Sequence, residues 1–155
     1  MSSHEQPWEP AETNRDQIEQ LMPARVEIRS LMDVVSARRR GLEMALALGF
    51  SRPDATKIAV VISELGRNIL LYTRGGTLTL IAHHTGKKGF KIIAQDQGPG
   101  FQDLDAALGE GHSTSDGLGL GISGSRRLMD EFEIRNVAGA GTTIIAIKWL
   151  KRPSK

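Results

Sequence analysis

The stretch PDATKIAVVISELGRNILLYTRGG, residues 53–76, decides the architecture. Pro53 and Asp54 open a helix, because a first helical turn leaves its amide hydrogens unpaired anyway and an acidic side chain suits its positive end. Ile58, Val61, Ile62, Leu65, Ile69 and Leu70 then recur at three- and four-residue intervals, one apolar stripe that must pack on something, until Gly75-Gly76 stops it. Upstream, Val26, Ile28 and Ser30 alternate with Glu27, Arg29 and Leu31 as in a short strand, and Asp33 suits the cap of a helix over Val34 to Leu48, ended by Gly49. Downstream, Thr77 to Thr85 and Phe90 to Gln95 read as strands joined by the turn Gly86-Lys87-Lys88-Gly89, whose lysines are solvated. A glycine-rich segment from Asp96 to Gly121 holds one short helical stretch near Leu104 to Leu108. It is followed by a helix over Ile122 to Phe132 and by strands Glu133 to Val137 and Thr142 to Leu150 around the turn Ala138-Gly139-Ala140-Gly141. Strands joined by short turns pair antiparallel. The expected fold is α+β, a two-layer α/β sandwich with a mostly antiparallel mixed sheet.

The chain has 155 residues, of which 39% are hydrophobic, about 60 apolar side chains and so one domain's worth of core. Residues 1–23 are polar, contain Pro7, Pro10 and Pro23, and show little periodicity, so they read as a flexible N-terminal extension before a domain at 24–155. Twenty basic against 18 acidic residues leave a net charge of +2, with no cationic stripe interleaved with aromatics, so no nucleic acid is expected as a partner. The absence of cysteine excludes disulfides, thiolate metal sites, thiol catalysis and iron–sulfur clusters. No apolar run approaches the roughly 18–20 residues that span a bilayer, and the N-terminus lacks the basic start and apolar centre of a secretory signal. No membrane association and a cytoplasmic location are expected. No repeat, heptad run or low-complexity segment is visible.

Gly119 to Gly124 fits the spacing GxGxxG, but no apolar strand precedes it and no acid lies about 20 residues downstream, so it is not a dinucleotide fingerprint. A Walker A loop is absent as well. What remains at Gly117 to Gly121 is a glycine run entering a helix, whose free amides and positive dipole end can hold phosphate oxygens; a merely flexible loop explains the run as well. Asp96-Gln97-Gly98-Pro99-Gly100 ends a strand with a carboxylate able to accept from an amino group and glycines that allow close approach, though an Asx-turn accounts for it nearly as well. Glu64 and Asn68 lie four residues apart on one helix face, with Arg67 beside them. They suit either solvent or the oxygen shell of Mg2+, whose remaining ligands are phosphate and water.

In order, Glu64-Leu65-Gly66-Arg67-Asn68, Asp96-x-Gly98-x-Gly100, Gly117-x-Gly119-x-Gly121 and Gly139-x-Gly141-Thr142 resemble the ATP-binding boxes of the GHKL superfamily of gyrase, Hsp90 and histidine kinases. Within it, ISELGRNILLY, KKGFKIIAQDQGPG, STSDGLGLGISGSRRLMDEF and VAGAGTTIIAIKWL are similar to the serine/threonine kinase and switch proteins of bacterial stressosomes, from about Val26 to Leu150. The resemblance implies a Bergerat-type ATP-binding fold with ATP and Mg2+ as cofactors. By it, Asn68 ligates Mg2+ between phosphates, Glu64 orients or deprotonates the acceptor hydroxyl, and Asp96 binds the adenine amino group. Gly98 and Gly100 shape the base pocket, Thr142 closes its side, and the backbone of Gly117, Leu118, Gly119, Leu120 and Gly121 covers the phosphates as a lid. Arg67 is a weaker candidate for a phosphate or acceptor contact. The partners implied are STAS-domain scaffold proteins, RsbS/RsbR-like, and a downstream output protein such as an RsbU-like phosphatase. A non-catalytic, nucleotide-regulated binding module of the anti-sigma-factor kind is the alternative. The N-terminal extension departs from the family and inherits no role from it.

Other candidates carry less. His83 and His84 are adjacent on a strand and point to opposite faces, which excludes a two-histidine metal site. His112 reads as a polar loop residue, Ser113, Thr114 and Ser115 as phosphate contacts or spacers alike, and Trp149 as core or edge packing.

Overall fold

The computed structural model describes residues 19–96, 121–137 and 141–151. Its elements, in chain order, are β1 (Ala24–Ile28), α1 (Leu31–Leu48), α2 (Arg52–Tyr72), β2 (Gly76–His83), β3 (Gly89–Asp96), α3 (Gly121–Leu128), β4 (Glu131–Val137) and β5 (Gly141–Trp149). The helical stretch expected at 104–108 and the turn at 138–140 lie outside the described residues.

The strands form one sheet in the order β1-β2-β3-β5-β4, and each of its four pairings is antiparallel. The parallel component of the expected mixed sheet does not occur among the described residues. Along β1, Val26 and Ile28 turn inward while Arg25 and Glu27 stay in solvent, the alternation its sequence dictates. The strand begins at Ala24 and ends at Ile28, because Ser30, not Asp33, is the cap of α1. The Ser30 hydroxyl accepts from the Asp33 amide (3.4 Å), and the Asp33 carboxylate returns to the Ser30 amide (3.0 Å) and the Arg29 amide (2.9 Å), a reciprocal capping box. Gly49, at φ 114°, closes the helix in the left-handed conformation that favours glycine. Ser51 caps α2, whose stripe is buried at Ile58, Val61, Ile62, Leu65 and Ile69.

The last helix ends earlier than its periodicity suggests. The buried Lys148 ammonium donates to the Leu128 carbonyl (3.0 Å) and the Asp130 amide to the Ile147 carbonyl (2.8 Å), so the chain has joined the sheet by residue 130. Phe132 therefore lies on a strand opposite Ala146. The core fills the space between helices and sheet, with Ile28, Met44, Ile58, Ile62, Leu78, Leu80, Phe90 and Ile92 wholly enclosed. Each such side chain stabilises the fold by about 1.5–3 kcal/mol relative to leaving it in water. Among the described residues no helix is long and apolar enough to cross a membrane.

Candidate functional site

Glu64 and Asn68 lie one turn apart on α2 and are only 7% and 8% exposed, which sets them apart from solvent-facing helix residues. Their burial follows from the helix's place: α2 packs against α1 on one side, α3 on another and β3 beneath. Glu64 is nevertheless not sealed in. It forms part of the wall of an open groove of about 340 Å³ between α1 and α2, with Leu31, Val35 and Arg38 contributed by α1 and Ser63 and Arg67 by α2. A carboxylate is thus held between a dry interior and an accessible cleft, an arrangement that costs desolvation energy unless a partner uses the charge.

On the sheet, Asp96 is the buried last residue of β3, and Thr142, 2% exposed, is the second residue of β5. Gln95 pairs with Thr143, so one step further along the antiparallel ladder sets Asp96 beside Thr142 on the same face. Thr142 also sits opposite Asn136 of β4 and donates its hydroxyl proton to the Asn136 side-chain oxygen. That bond commits the proton, so towards any further donor the Thr142 oxygen acts as an acceptor. Two acceptors, a carboxylate and an oriented hydroxyl, therefore stand side by side, a pattern that suits an exocyclic amino group. Asn136 was not visible as a site residue from sequence: one amide near a strand end gives no periodic or motif signal.

Gly121 begins α3. Gly98, Gly100, Gly117, Leu118, Gly119 and Leu120 lie outside the described residues, as do His112, Ser113, Thr114 and Ser115. His83 is half-buried at the end of β2 and His84 is exposed, and no group of three or more His, Asp and Glu capable of holding a metal gathers among the described residues.

Residues 27–148 match the histidine kinase-like ATPase domain. The chain belongs to the histidine kinase-like ATPase family. Over 128 residues, 81% of this chain and 96% of the relative, it is 50% identical to the serine/threonine-protein kinase RsbT of Bacillus subtilis strain 168. The crystal structure of the RsbU and RsbW domains of a Mycobacterium tuberculosis protein matches it with a TM-score of 0.59 at 19% identity, over 86% of this chain and 33% of that one, a likeness in fold alone. This histidine kinase-like ATPase is therefore an RsbT homologue.

Membership of an ATPase family implies ATP, with Mg2+ as its usual companion, and the residues present fit that pair. The Asn68 side-chain nitrogen is buried with no hydrogen-bond partner among the described residues. An orphaned amide of this kind costs about 1–3 kcal/mol, and a metal-phosphate group answers both of its ends, the oxygen meeting a cation and the nitrogen a phosphate oxygen.

Proposed function

We propose that this histidine kinase-like ATPase is an ATP- and Mg2+-dependent protein serine/threonine kinase of a partner-switching system. Its acceptors are STAS-domain scaffold proteins of the RsbS/RsbR kind, and its second partner is a downstream output protein such as an RsbU-like phosphatase, all in the cytoplasm. The observation that carries this reading is Glu64: a buried carboxylate opening onto a groove, one helical turn from an orphaned amide.

In this reading Asp96 and Thr142 hold the adenine, Asn68 holds the metal and a phosphate oxygen, and Gly98, Gly100 and the lid backbone of Gly117, Leu118, Gly119, Leu120 and Gly121 complete the nucleotide site. Mg2+, when bound, neutralises charge on the phosphates. Glu64 orients the acceptor hydroxyl. As that oxygen bonds to the terminal phosphorus, the bond between phosphorus and the ADP oxygen breaks and the hydroxyl proton passes to the Glu64 carboxylate. The protein's task is positioning and charge stabilisation, since phosphoryl transfer asks little covalent chemistry of it. The phosphate then adds almost two negative charges to the interface, which drives the kinase off and frees it for its second partner.

Purified protein incubated with radiolabelled ATP, Mg2+ and candidate STAS proteins tests this. Label should pass to a serine or threonine of one of them. Glu64→Ala should lower transfer by about 100-fold or more and leave nucleotide affinity by calorimetry within a few-fold. Nucleotide binding without transfer to any STAS protein would favour the non-catalytic binding module, and unchanged transfer by Glu64→Ala would remove that residue from the reaction.

A further inference from the structure

The first turns of α1 carry an apolar patch that the fold leaves uncovered by any described residue. Leu31 is 61% exposed, Met32 68% and Val35 47%, on a helix whose other apolar side chains are mostly enclosed. These residues fall on both sides of the ridge that divides the Glu64 groove from a second one of about 260 Å³, which Met32, Val35, Arg39 and Arg40 help to line. Across the two grooves stand Arg38, Arg39, Arg40 and Arg67 against Glu43 and Glu64, a positive rim around an apolar centre. Neither Arg38 nor Arg39 forms an ion pair with a described residue.

We propose that this double groove is the docking seat for the protein that accepts the phosphate, and that it recognises an apolar side chain flanked by acidic residues next to the acceptor hydroxyl. The inference rests on the kinase reading of Glu64. Three observations select this occupant. The larger groove is lined by Leu31, Val35 and Arg38 of α1 together with Glu64, so a partner seated on α1 delivers its hydroxyl to the carboxylate that must meet it. The apolar centre and charged rim are the layout of a protein interface, in which desolvated anchors supply affinity and rim charges supply orientation and encounter rate. Arg38 and Arg39, which form no ion pair with a described residue, are placed for an acidic surface.

Leu31→Asp and Arg39→Glu provide the test, measured with whichever STAS protein takes label from the unmodified kinase. Leu31→Asp adds a negative charge to the positive end of α1 and so does not oppose folding. Each variant should raise the Kd for the acceptor protein at least about tenfold, the effect of losing one good anchor or desolvated pair, and lower transfer through KM. ATP affinity and thermal midpoint should stay close to those of the parent. An acidic-to-arginine exchange on the acceptor should restore binding to Arg39→Glu. Equal labelling by parent and variants overturns the docking seat while leaving the kinase reading intact; no labelling by the parent overturns the kinase reading first. If the defects vanish once residues 1–18 are removed, the seat belongs to that acidic segment and the proposal fails. It fails also if the variants act by changing the oligomeric state seen in sedimentation.

Discussion

Asp96 shows how one residue's surroundings set its use. Opposite it, on β2, stands Gly76, where a Cβ would come within 2.1 Å of the Gln95 carbonyl oxygen. Only glycine lets the two strands close here, and the backbone that carries Asp96 is held by that contact. One step beyond the Gln95–Thr143 pair, Asp96 falls beside Thr142 on the ladder, and the hydroxyl of Thr142 has its proton fixed by Asn136. In the ATP reading both groups accept from the adenine amino group, so Asp96→Asn, which exchanges half of a carboxylate for a donor, should weaken ATP binding by roughly tenfold or more, the scale of a hydrogen bond to a charged group. Calorimetry with ATP checks it, and an unaltered affinity would remove Asp96 from the base pocket. At this scale the sequence was legible where residues came in a motif: Glu64, Asn68, Asp96 and Thr142 were all singled out as candidates, and all four are buried. Asn136 and the orphaned amide nitrogen of Asn68 were not, because partnership and burial across the sheet are properties of pairing that no local pattern carries.

Elements were readable to the extent that period and caps agree. The stripe of α2 and the alternation of β1 each point to one face, and the structure buries that face. In β5 they do not agree: Ile144 and Ile145 are neighbours, and only the pairing with β3 and β4 decides that Ile144 faces the helices while Ile145 stays half-exposed. The start of α1 was misplaced by three residues because Ser30-x-x-Asp33 contains two good cap residues, and the reciprocal bonds choose the first. That cap has a pH signature. The Arg29 amide, then the amide and hydroxyl of Ser30 and the nearby Arg29 charge, hold the Asp33 carboxyl below the usual carboxylate range. A carboxyl lowered on folding stabilises the folded state in full above its unfolded pKa of about 4 and loses that contribution as the pH falls through the folded value. Asp33→Asn should therefore melt below the parent at pH 7, and the gap should narrow steadily under acid conditions below about pH 4. Parallel melting curves at the two pH values decide it; a gap that stays constant would mean that the carboxylate charge plays no part in the cap.

For the whole molecule, the question is where the folded unit begins. Composition set the boundary at residue 23, since little before it repeats with a helical or strand period beyond one short amphipathic turn near Ile18, Leu21 and Met22. The contacts draw it closer to residue 19: the Arg40 guanidinium donates to the Glu19 carbonyl (3.3 Å), and Leu21 packs, partly buried, on the core beside Ala24 and Val26. Ile18, Leu21 and Met22 amount to one short amphipathic turn, too brief a signal for the sequence to set apart from the polar extension around it. Two truncations separate the boundaries. Residues 1–18 are polar and carry no stripe that a core would need, so their removal should move the thermal midpoint by no more than about 2 °C, the size of a surface effect in a domain of this length. Removing residues 1–22 also exposes the pocket under Leu21, worth about 1–2 kcal/mol for a partly buried leucine, and should lower the midpoint by roughly 3–6 °C. Equal midpoints for the two truncations would put the boundary back at residue 23. A fall of many degrees with the shorter truncation would make the first eighteen residues part of the core.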